Sequence, residues 1–347
     1  MRTLRLSVDS QDLGSAPSRN SIEQAASILR EGGTVAFPTE TVYGLGANAL
    51  DPTAIAKIFA AKQRPGWDPL IVHLADRSLL GSITASVGAN AVRLMDAFWP
   101  GPLTLLLPRN VAIPDAVTAG RPLVGVRVPK HPVAHALLRA AGVPVAAPSA
   151  NKFGRTSPTL AAHVAEDLDG RIDAILDSGE TTHGLESTVV DPVACVIYRP
   201  GVVTLEQIRA VCPEAVAFQE AAAPDAEPES LPSPGVGVRH YAPKARLILI
   251  EGAGGELEEH FAAEATSRRS REKLGLMLPD DFREDGTGDA LVYRWGAWGN
   301  EEELAQRLFA GLRWLDARGA AVILCPLPQA TGIGTAIRDR LKKAARE

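Results

Sequence analysis

The chain has 347 residues, of which 46% are hydrophobic and 22% charged, as in an ordinary globular protein of about two domains. The first ten residues hold no apolar stretch long enough for a signal peptide, and no window approaches the roughly 20 apolar residues of a membrane-spanning helix. The composition therefore predicts a cytoplasmic protein with no membrane partner.

The net charge of −5 comes from one short stretch. Residues 214–234 contain five acidic residues and no Lys or Arg, whereas the charges balance on either side. The stretch is also rich in Ala and Pro, a composition typical of a linker that gains little from packing. We expect an N-terminal domain over residues 1–213, an acidic, Pro-rich linker over 214–244 and a C-terminal domain over 245–347.

Cysteine usage indicates neither disulfides nor a metal. Cys195, Cys212 and Cys325 are odd in number, lie far apart and form no Cys-x-x-Cys pair. This spacing supports neither a disulfide framework nor a structural zinc site. We expect buried thiols.

The N-terminal part alternates helix and strand patterns. A strand over 34–37 stops at a Pro, and the polar residues 39–43 follow in a Gly-bounded turn. Ser21 is predicted to cap a helix that ends near Arg30, and Asp51-Pro52 to open a helix that ends at Lys62. Further strands are predicted at 70–74, 103–107, 123–128, 143–147, 172–176 and 188–190, and further helices near 88–98, 131–141 and 159–168. The pattern is that of a mixed α/β domain.

A second alternation follows the expected linker. Strands are predicted at 246–250, 274–278, 290–294 and 320–325, and helices near 255–273, 301–317 and 335–345. Leu304, Leu308, Leu312 and Leu315 mark one apolar stripe of the 301–317 helix. We expect a small three-layer α/β domain.

Two cations stand at a constrained turn. Lys62 ends a predicted helix, and Arg64 follows just before Pro65 and Gly66. Arg supplies a fork and Lys a point charge, a pairing suited to a polyphosphate. The alternative is that both interact with the C-terminus of their own helix.

Two further charged or titratable residues lie within predicted strands. His73, in LIVHL, is either a satisfied core histidine or a ligand contact. Arg127, in VGVRVP, needs an anionic partner or a ligand carboxylate or phosphate, because a guanidinium is costly to bury unpaired.

Polar groups also concentrate in two loop segments. The segment APSANKFGRTSPT at 147–159 brings hydroxyls, amides and backbone N–H groups to a predicted helix start at Ser157-Pro158, which suits phosphate or nucleotide binding. The alternative is an ordinary capped turn. Ser187 and Arg199 lie on a predicted hairpin, which by itself gives no reason for the arginine.

Several catalytic signatures are missing. The sequence has no P-loop, no Gly-x-Gly-x-x-Gly, no Gly-x-Ser-x-Gly elbow and no His-Glu-x-x-His. Cations and hydroxyls without an evident nucleophile favour phosphoryl or nucleotidyl transfer by positioning and charge stabilisation.

These segments, in this order, resemble the threonylcarbamoyl-AMP synthase family, whose core is a YrdC-like domain. The resemblance is carried by PTETVYGLG (38–46), KQRP and PLIVHL (62–74), WPGPLTL (99–105), GVRVPKHP (125–132), APSAN and SPT (147–159), ESTVVD (186–191), RPG (199–201), SPGVGVRHYAPKARL (233–247) and GIGTAIRDRLKKAA near the end. It implies an α/β fold: a YrdC-like twisted mixed-sheet N-terminal domain and a smaller Rossmann-like three-layer C-terminal domain.

The resemblance also implies a nucleotidyltransferase activity. Such an enzyme joins L-threonine, bicarbonate and ATP into threonylcarbamoyl-adenylate and pyrophosphate, with Mg²⁺ bound mainly through the ATP phosphates. The adenylate would pass to a downstream tRNA threonylcarbamoyl transferase, and the resemblance further implies a weak RNA contact.

Matching motifs imply the site residues. Lys62 and Arg64 would be catalytic and neutralise the phosphates, with no dedicated protein ligand for a metal. The expected threonine and carbamate contacts are Thr41, His73, Arg127, Ser149 and Ser187, with Arg127 on the carboxylate. The expected nucleotide contacts are Lys62, Arg64, Asn151, Thr159, Arg199, His240 and Tyr241.

Two features of the resemblance need separate mention. We hypothesise that residues 233–244, with His240 and Tyr241, form a lid that excludes water from the labile adenylate. Many relatives have Asn-Pro after the cationic turn where this chain has Asp68-Pro69, so no nucleotide contact is expected at position 68.

Two alternative functions are an RNA-binding module and a carbamoyl-transfer maturation factor built on a YrdC-like domain. A charge-balanced N-terminal domain with few free aromatics disfavours autonomous RNA binding. The maturation factor would need zinc-finger or acylphosphatase-like segments, which this sequence lacks.

Overall fold

The computed structural model describes residues 2–219, 231, 233, 235, 240–252, 254–268, 272–284 and 287–346. The chain divides into two compact units. The larger comprises Met1–Phe153, Ser157–Thr182 and Glu186–Gly237, and the smaller comprises Gly154–Thr156, His183–Leu185 and Val238–Glu347. The expected linker, 214–244, lies in large part outside the described residues, and the predicted segment limits stay predictions.

The larger unit contains one mixed sheet. Its strands are β1 Leu4–Ser7, β2 Val35–Phe37, β3 Gly44–Asn48, β4 Ile71–His73, β5 Leu103–Pro108, β6 Leu123–Arg127, β7 Val145–Ala146, β8 Ala174–Asp177, β9 Thr188–Asp191, β10 Val196–Arg199 and β11 Val216–Ala217. The spatial order is β1-β8-β2-β3-β7-β4-β6-β5-β9-β10-β11. Parallel pairs such as β4 with β6 stand beside antiparallel pairs such as β5 with β6. The expected mixed α/β architecture is confirmed.

Helices cover both faces of this sheet. They are α1 Ala16–Arg30, α2 Pro52–Lys62, a 3-10 turn Arg77–Leu79, α3 Leu80–Ile83, α4 Ala89–Phe98, α5 Asp115–Thr118, α6 Pro132–Ala141, α7 Ala161–Leu168 and α8 Leu205–Val211. Ala36 belongs to the apolar cluster that includes α2 and α4, whereas its neighbours Val35 and Phe37 belong to the cluster that includes α1 and α6. Because successive strand residues point to opposite faces, the sheet lies between two apolar layers.

The helix before the cationic turn begins and ends as predicted. The Asp51 side chain accepts a hydrogen bond from the Thr53 amide, Pro52 is the first helical residue, and α2 ends at Lys62. Gln63 follows in the left-handed region at φ 53°, which turns the chain sharply. This turn separates Lys62 from Arg64.

Two predicted helix starts are wrong. Helix α1 begins at Ala16, where Ser15 accepts a hydrogen bond from the Ser18 amide and Pro17 lies in the first turn, so Ser21 falls inside the helix. Helix α7 begins at Ala161 without a side-chain cap. The Ser157 hydroxyl instead donates to Glu186 Oε1 at 2.5 Å, because a distant carboxylate competes with the local cap.

The turn predicted over residues 39–43 is confirmed, because the chain reverses there and strand β3, which begins at Gly44, pairs antiparallel with β2. A Cβ at Gly46 would lie 2.7 Å from Val145 Cγ1 and 2.8 Å from Phe37 Cε1. Gly46 therefore allows close packing within the sheet.

The smaller unit is a three-layer α/β structure, as expected. Its strands are β12 Arg246–Ile250, β13 Leu274–Leu278, β14 Leu291–Arg294 and β15 Val322–Pro326, and its helices are α9 Gly255–Arg268, α10 Glu301–Ala317 and α11 Gly334–Ala344. The strands are all parallel in the order β12-β15-β13-β14. The predicted leucine stripe of α10 is buried.

Within the part of the chain that the structure describes, no helix combines the length and apolar character needed to cross a membrane.

We expect Gly201→Ala to destabilise the larger unit by about 1–3 kcal/mol, the usual cost of overpacking. A Cβ at Gly201 would lie 2.5 Å from both the Glu186 carbonyl oxygen and the Thr188 amide nitrogen. These are backbone atoms, which cannot move aside without a shift of the chain that costs free energy. The matched control is Gly81→Ala in α3, where a Cβ meets nothing within 4 Å and helix propensity favours alanine. Urea unfolding of both variants measures the difference, and equal stabilities would contradict the packing argument.

Candidate active site

Charged and polar side chains are buried in the larger unit, near strand ends and in the segments between the strands and helices. They are Thr39, Glu40, Thr41, Lys62, Arg64, Asp68, His73, Thr104, Arg127, Asn151, Ser157, Thr159, Glu186, Ser187 and Arg199. Polar groups are buried only at a cost unless partners compensate them. Their partners therefore define the geometry of the site.

Lys62 is a buried cation held by backbone carbonyls. Its Nζ donates to the Ser149 carbonyl oxygen at 2.6 Å and to the Asn151 carbonyl oxygen at 2.5 Å, rather than to the last carbonyls of α2. Burial, with the nearby Arg64 guanidinium, holds the pKa of Lys62 well below its ordinary value. Carbonyl oxygens do not neutralise the charge, so an anionic ligand beside Nζ would stabilise the protonated form.

Arg64 is paired with Asp68. Its Nη2 lies 2.9 Å from Asp68 Oδ2 and donates to the Pro69 carbonyl oxygen at 2.8 Å, while Nε donates to the Asp68 carbonyl oxygen at 3.1 Å. Burial raises the pKa of Asp68, and the charges of Arg64, Lys62 and Arg199 oppose that rise. Asp68, at which no nucleotide contact is expected, thus lies among three cations.

Arg127 connects three segments at the end of β6. Its Nη2 lies 2.7 Å from Glu40 Oε1, Nη1 donates to Thr41 Oγ1 at 2.9 Å, and Nε donates to the Gly101 carbonyl oxygen at 3.1 Å. The pKa of Glu40 is lowered overall: burial, the largest single effect, raises it, but the Arg127 charge and the hydrogen bonds from Arg127 and the backbone together outweigh burial. Glu40 is the anionic partner that a buried arginine requires.

Ser187 and Arg199 meet at the open end of the β9–β10 hairpin, which is antiparallel as predicted. Arg199 Nη2 donates to the Ser187 carbonyl oxygen at 3.0 Å and to Ser187 Oγ at 3.2 Å. Ser187 Oγ also lies 2.8 Å from Thr104 Oγ1 of the neighbouring strand β5. Ser187 is therefore bound to a cation and a hydroxyl rather than to a general base.

A short segment joins the Arg127 and Ser187 regions. The Gly101 amide donates to the Val128 carbonyl oxygen at 2.8 Å, and the Thr188 amide donates to the Pro102 carbonyl oxygen at 3.0 Å. Since Gly101 also accepts from Arg127, the two regions form one continuous polar site within the larger unit.

His73 lies at the end of β4, paired with Arg127 on one side and Val145 on the other. Its ring stands edge-on to Phe37 with centroids 6.2 Å apart. Burial lowers the pKa of His73 to about 3, and the Arg127 charge acts in the same direction. The imidazole is thus neutral at physiological pH, and its substrate contact stays a prediction.

The segment after β7 contributes mainly backbone to this site. Ser149 is half-buried and, like Asn151, presents its carbonyl oxygen to Lys62. The Asn151 side chain donates to the Lys152 carbonyl oxygen at 2.8 Å, and the Thr159 amide donates to His163 Nδ1 at 3.3 Å. Their nucleotide contacts stay predictions.

His240 and Tyr241 belong to the smaller unit, where Tyr241 is buried. Its ring stacks on Phe309 at 5.8 Å between centroids, and the Arg340 guanidinium lies 5.0 Å above it. The His240 ring contacts Tyr241 edge-on at 4.3 Å. Pro234 and residues 236–239 of the hypothesised lid lie outside the described residues, so the lid stays a prediction.

The sequence reasoning missed three members of the site. Glu40 pairs with Arg127, Asp68 with Arg64, and Thr104 with Ser187. The signal for Glu40 was present, because a buried arginine demands an anion and Glu40 precedes Thr41 in the same polar segment. Nothing in the local pattern of Thr104, a strand residue, marks it.

Comparisons with known proteins agree over nearly the whole chain. Residues 27–201 match the family described as "Telomere recombination", and residues 203–346 match the "Threonylcarbamoyl-AMP synthase, C-terminal domain". The chain is 41% identical over 330 residues to the threonylcarbamoyl-AMP synthase of Pyrococcus abyssi, covering 93% of this chain and 94% of the relative. It is 43% identical over 349 residues to that of Bacillus subtilis, covering 99% and 98%.

A solved structure is similar over the same extent. The crystal structure of Pyrococcus abyssi Sua5 complexed with L-threonine matches with a TM-score of 0.90 and 39% identity, covering 99% of this chain and 98% of that one. Identity of this size over both family regions leaves one conclusion. The chain belongs to the threonylcarbamoyl-AMP synthase family.

Proposed function

We propose that this protein is an L-threonylcarbamoyladenylate synthase, which condenses L-threonine, bicarbonate and ATP into threonylcarbamoyl-AMP and pyrophosphate. The observation that supports this most directly is the continuous buried site in which Lys62 and Arg64 stand near Arg199, with Arg127 at its other end. Similarity to threonylcarbamoyl-AMP synthases along nearly the whole chain supports the same activity.

The end of the site that contains Lys62, Arg64 and Arg199 suits the triphosphate of ATP. The charges of Lys62, Arg64 and Arg199 all lower the pKa of the Asp68 carboxyl against the effect of burial, which supports binding of an anionic ligand among them. Phosphate oxygens bound there would raise the pKa of Lys62 and stabilise the charge that develops on the leaving pyrophosphate. Asn151 and Thr159 would hold the nucleoside part.

The Arg127 end suits threonine. A guanidinium presents donors in a fixed fork that matches a carboxylate, and Glu40 and Gly101 keep this fork oriented. Thr41, Ser149 and Ser187 supply hydroxyls for the carbamate, and neutral His73 offers a hydrogen bond without adding charge. The threonine amine adds to bicarbonate with loss of water, and a carbamate oxygen then attacks the α-phosphorus and displaces pyrophosphate.

The carboxylates of the site do not provide a dedicated metal cage. Glu40 is paired with Arg127, Asp68 with Arg64, and Glu186 accepts from Ser157. Mg²⁺ prefers phosphate and water oxygens with few protein carboxylates, and it would supply charge neutralisation on ATP. We therefore propose that Mg²⁺ enters bound to ATP.

The product is a mixed anhydride, which water hydrolyses. Its consumption requires an acyl-transfer enzyme, so we propose a tRNA threonylcarbamoyl transferase as the downstream partner. The buried position of the site would limit hydrolysis before transfer.

The first test is pyrophosphate release from ATP and Mg²⁺ by the purified protein, with threonine and bicarbonate each present or omitted. We expect release only when both are present, together with threonylcarbamoyl-AMP detected by mass. Lys62→Ala and Arg64→Ala should each lower kcat at least about a hundredfold, as the loss of a transition-state charge partner does. Release that ignores threonine would overturn the assignment.

A second test separates the structural and substrate roles of Arg127. Arg127→Met leaves the Glu40 carboxylate buried without its cation, so we expect a loss of about 3–5 kcal/mol in the free energy of unfolding. Adding Glu40→Gln removes the unpaired charge and should restore part of this stability. Threonine-dependent turnover should stay lost in the double variant, and its recovery would contradict carboxylate binding by Arg127.

A third test concerns the pH dependence of stability. The pKa of His73 is about 3 in the native protein and 6.5 in its ordinary state. Between about pH 3 and pH 6.5, His73 is therefore protonated in the unfolded chain and neutral in the native protein. The free energy of unfolding therefore rises with pH across this window, by up to about 1.4 kcal/mol per pH unit. We expect His73→Asn to flatten this rise in urea unfolding series, whereas exposed His260→Asn should leave it unchanged; equal slopes would contradict a neutral buried imidazole.

A further inference from the structure

Two cysteines that lie 17 positions apart in sequence meet in the larger unit. Cys195 lies in the turn between β9 and β10, and Cys212 directly follows α8. Their sulfur atoms are 3.1 Å apart, and Glu214 Oε1 lies 3.2 Å from Cys195 Sγ. The ligand atoms of these three residues all lie within 4.8 Å of one another.

The surroundings of the two cysteines are apolar. Cys195 and Cys212 are 4% and 1% exposed and belong to an apolar cluster with Ile208 and Ala215, whereas Glu214 is exposed. The two sulfur atoms thus lie among apolar side chains, and the nearby Glu214 is exposed to solvent.

A neighbouring amide orients two of the three groups. Asn90 Nδ2, from α4, lies 3.4 Å from both Cys195 Sγ and Glu214 Oε1, and it donates to the Pro192 carbonyl oxygen at 3.1 Å. Outer hydrogen bonds of this kind hold metal ligands in place.

The backbone at Cys195 is unfavourable for a cysteine. It adopts φ 54°, a left-handed conformation that glycine or asparagine adopts more easily.

A divalent cation bound here would replace the thiol protons and hold the two sulfur atoms and the carboxylate together, because these ligand atoms already lie within 4.8 Å of one another.

We propose that Cys195, Cys212 and Glu214 bind one thiophilic divalent cation of the Zn²⁺ class, with a fourth position open to water. Two thiolates and a carboxylate are a ligand set that Zn²⁺ accepts in tetrahedral geometry. Zn–S bonds of about 2.3 Å at the tetrahedral angle place two sulfurs about 3.8 Å apart, so the pair opens by less than 1 Å on binding.

The position of this site indicates its use. Cys195 is at the turn end of the β9–β10 hairpin, and Ser187 and Arg199 are at the opposite end. Cys212 follows α8, so a bound cation would clamp this helix to the hairpin. The cation would therefore stabilise the hairpin that presents two residues of the active site, without touching substrate.

The test is a Co²⁺ titration of the full-length, reduced, metal-free protein. We expect a thiolate-to-cobalt charge-transfer band that saturates at one Co²⁺ per chain and is displaced by Zn²⁺. Exposed Glu214→Gln should fold normally and weaken Co²⁺ binding at least about tenfold. Cys195→Ser with Cys212→Ser should abolish the band, and Cys325→Ala, a buried thiol of β15, should keep it.

Three outcomes would overturn the proposal. They are no charge-transfer band, a band that persists in the Cys195→Ser and Cys212→Ser double variant, and a Cys195–Cys212 disulfide formed in air by a protein that binds no Co²⁺ when reduced. The last outcome would identify the pair as redox-active thiols. None of these results depends on adenylate synthesis, so failure here leaves the proposed function intact.

Discussion

The buried ion pair between Arg127 and Glu40 is the interaction on which the arrangement of the site depends. One guanidinium contacts Glu40, Thr41 and the Gly101 carbonyl, which come from two distant segments of the chain. Separating a buried pair leaves an uncompensated charge, which costs far more than an apolar contact. The chain therefore holds the segment after β2 and the segment before β5 against the end of β6.

The second half of the site has a different charge balance. Asp68 pairs with Arg64, but the hydrogen bonds of Lys62 go to backbone carbonyls. A buried ammonium without a carboxylate in hydrogen-bond contact is the group that gains most from an anionic ligand. Asp68 limits this positive charge in the free protein.

Helix capping residues and Pro, read from the sequence, predicted the bounds of the helix that precedes the buried cations. The predicted start of α2 at Asp51-Pro52 and its end at Lys62 are both confirmed. A capping side chain and a Pro act within a few residues of sequence, so a local pattern reveals them. The same rules failed at Ser21 and Ser157. Ser15 caps α1 earlier in the sequence than Ser21. The Ser157 hydroxyl donates a hydrogen bond to Glu186, 29 positions away, instead of capping a helix.

The sequence by itself determined the two α/β units, most helix and strand positions, the family, and the need of Arg127 for an anion, since these depend on periodicity, capping and desolvation. Only the tertiary structure decided which anion that is, and that Cys195 and Cys212 are neighbours. The reason is that a strand pattern reports which residues are buried but not which strands are adjacent. The order β4-β6-β5-β9, set by packing across the whole sheet, brings His73, Arg127, Thr104 and Ser187 to one site.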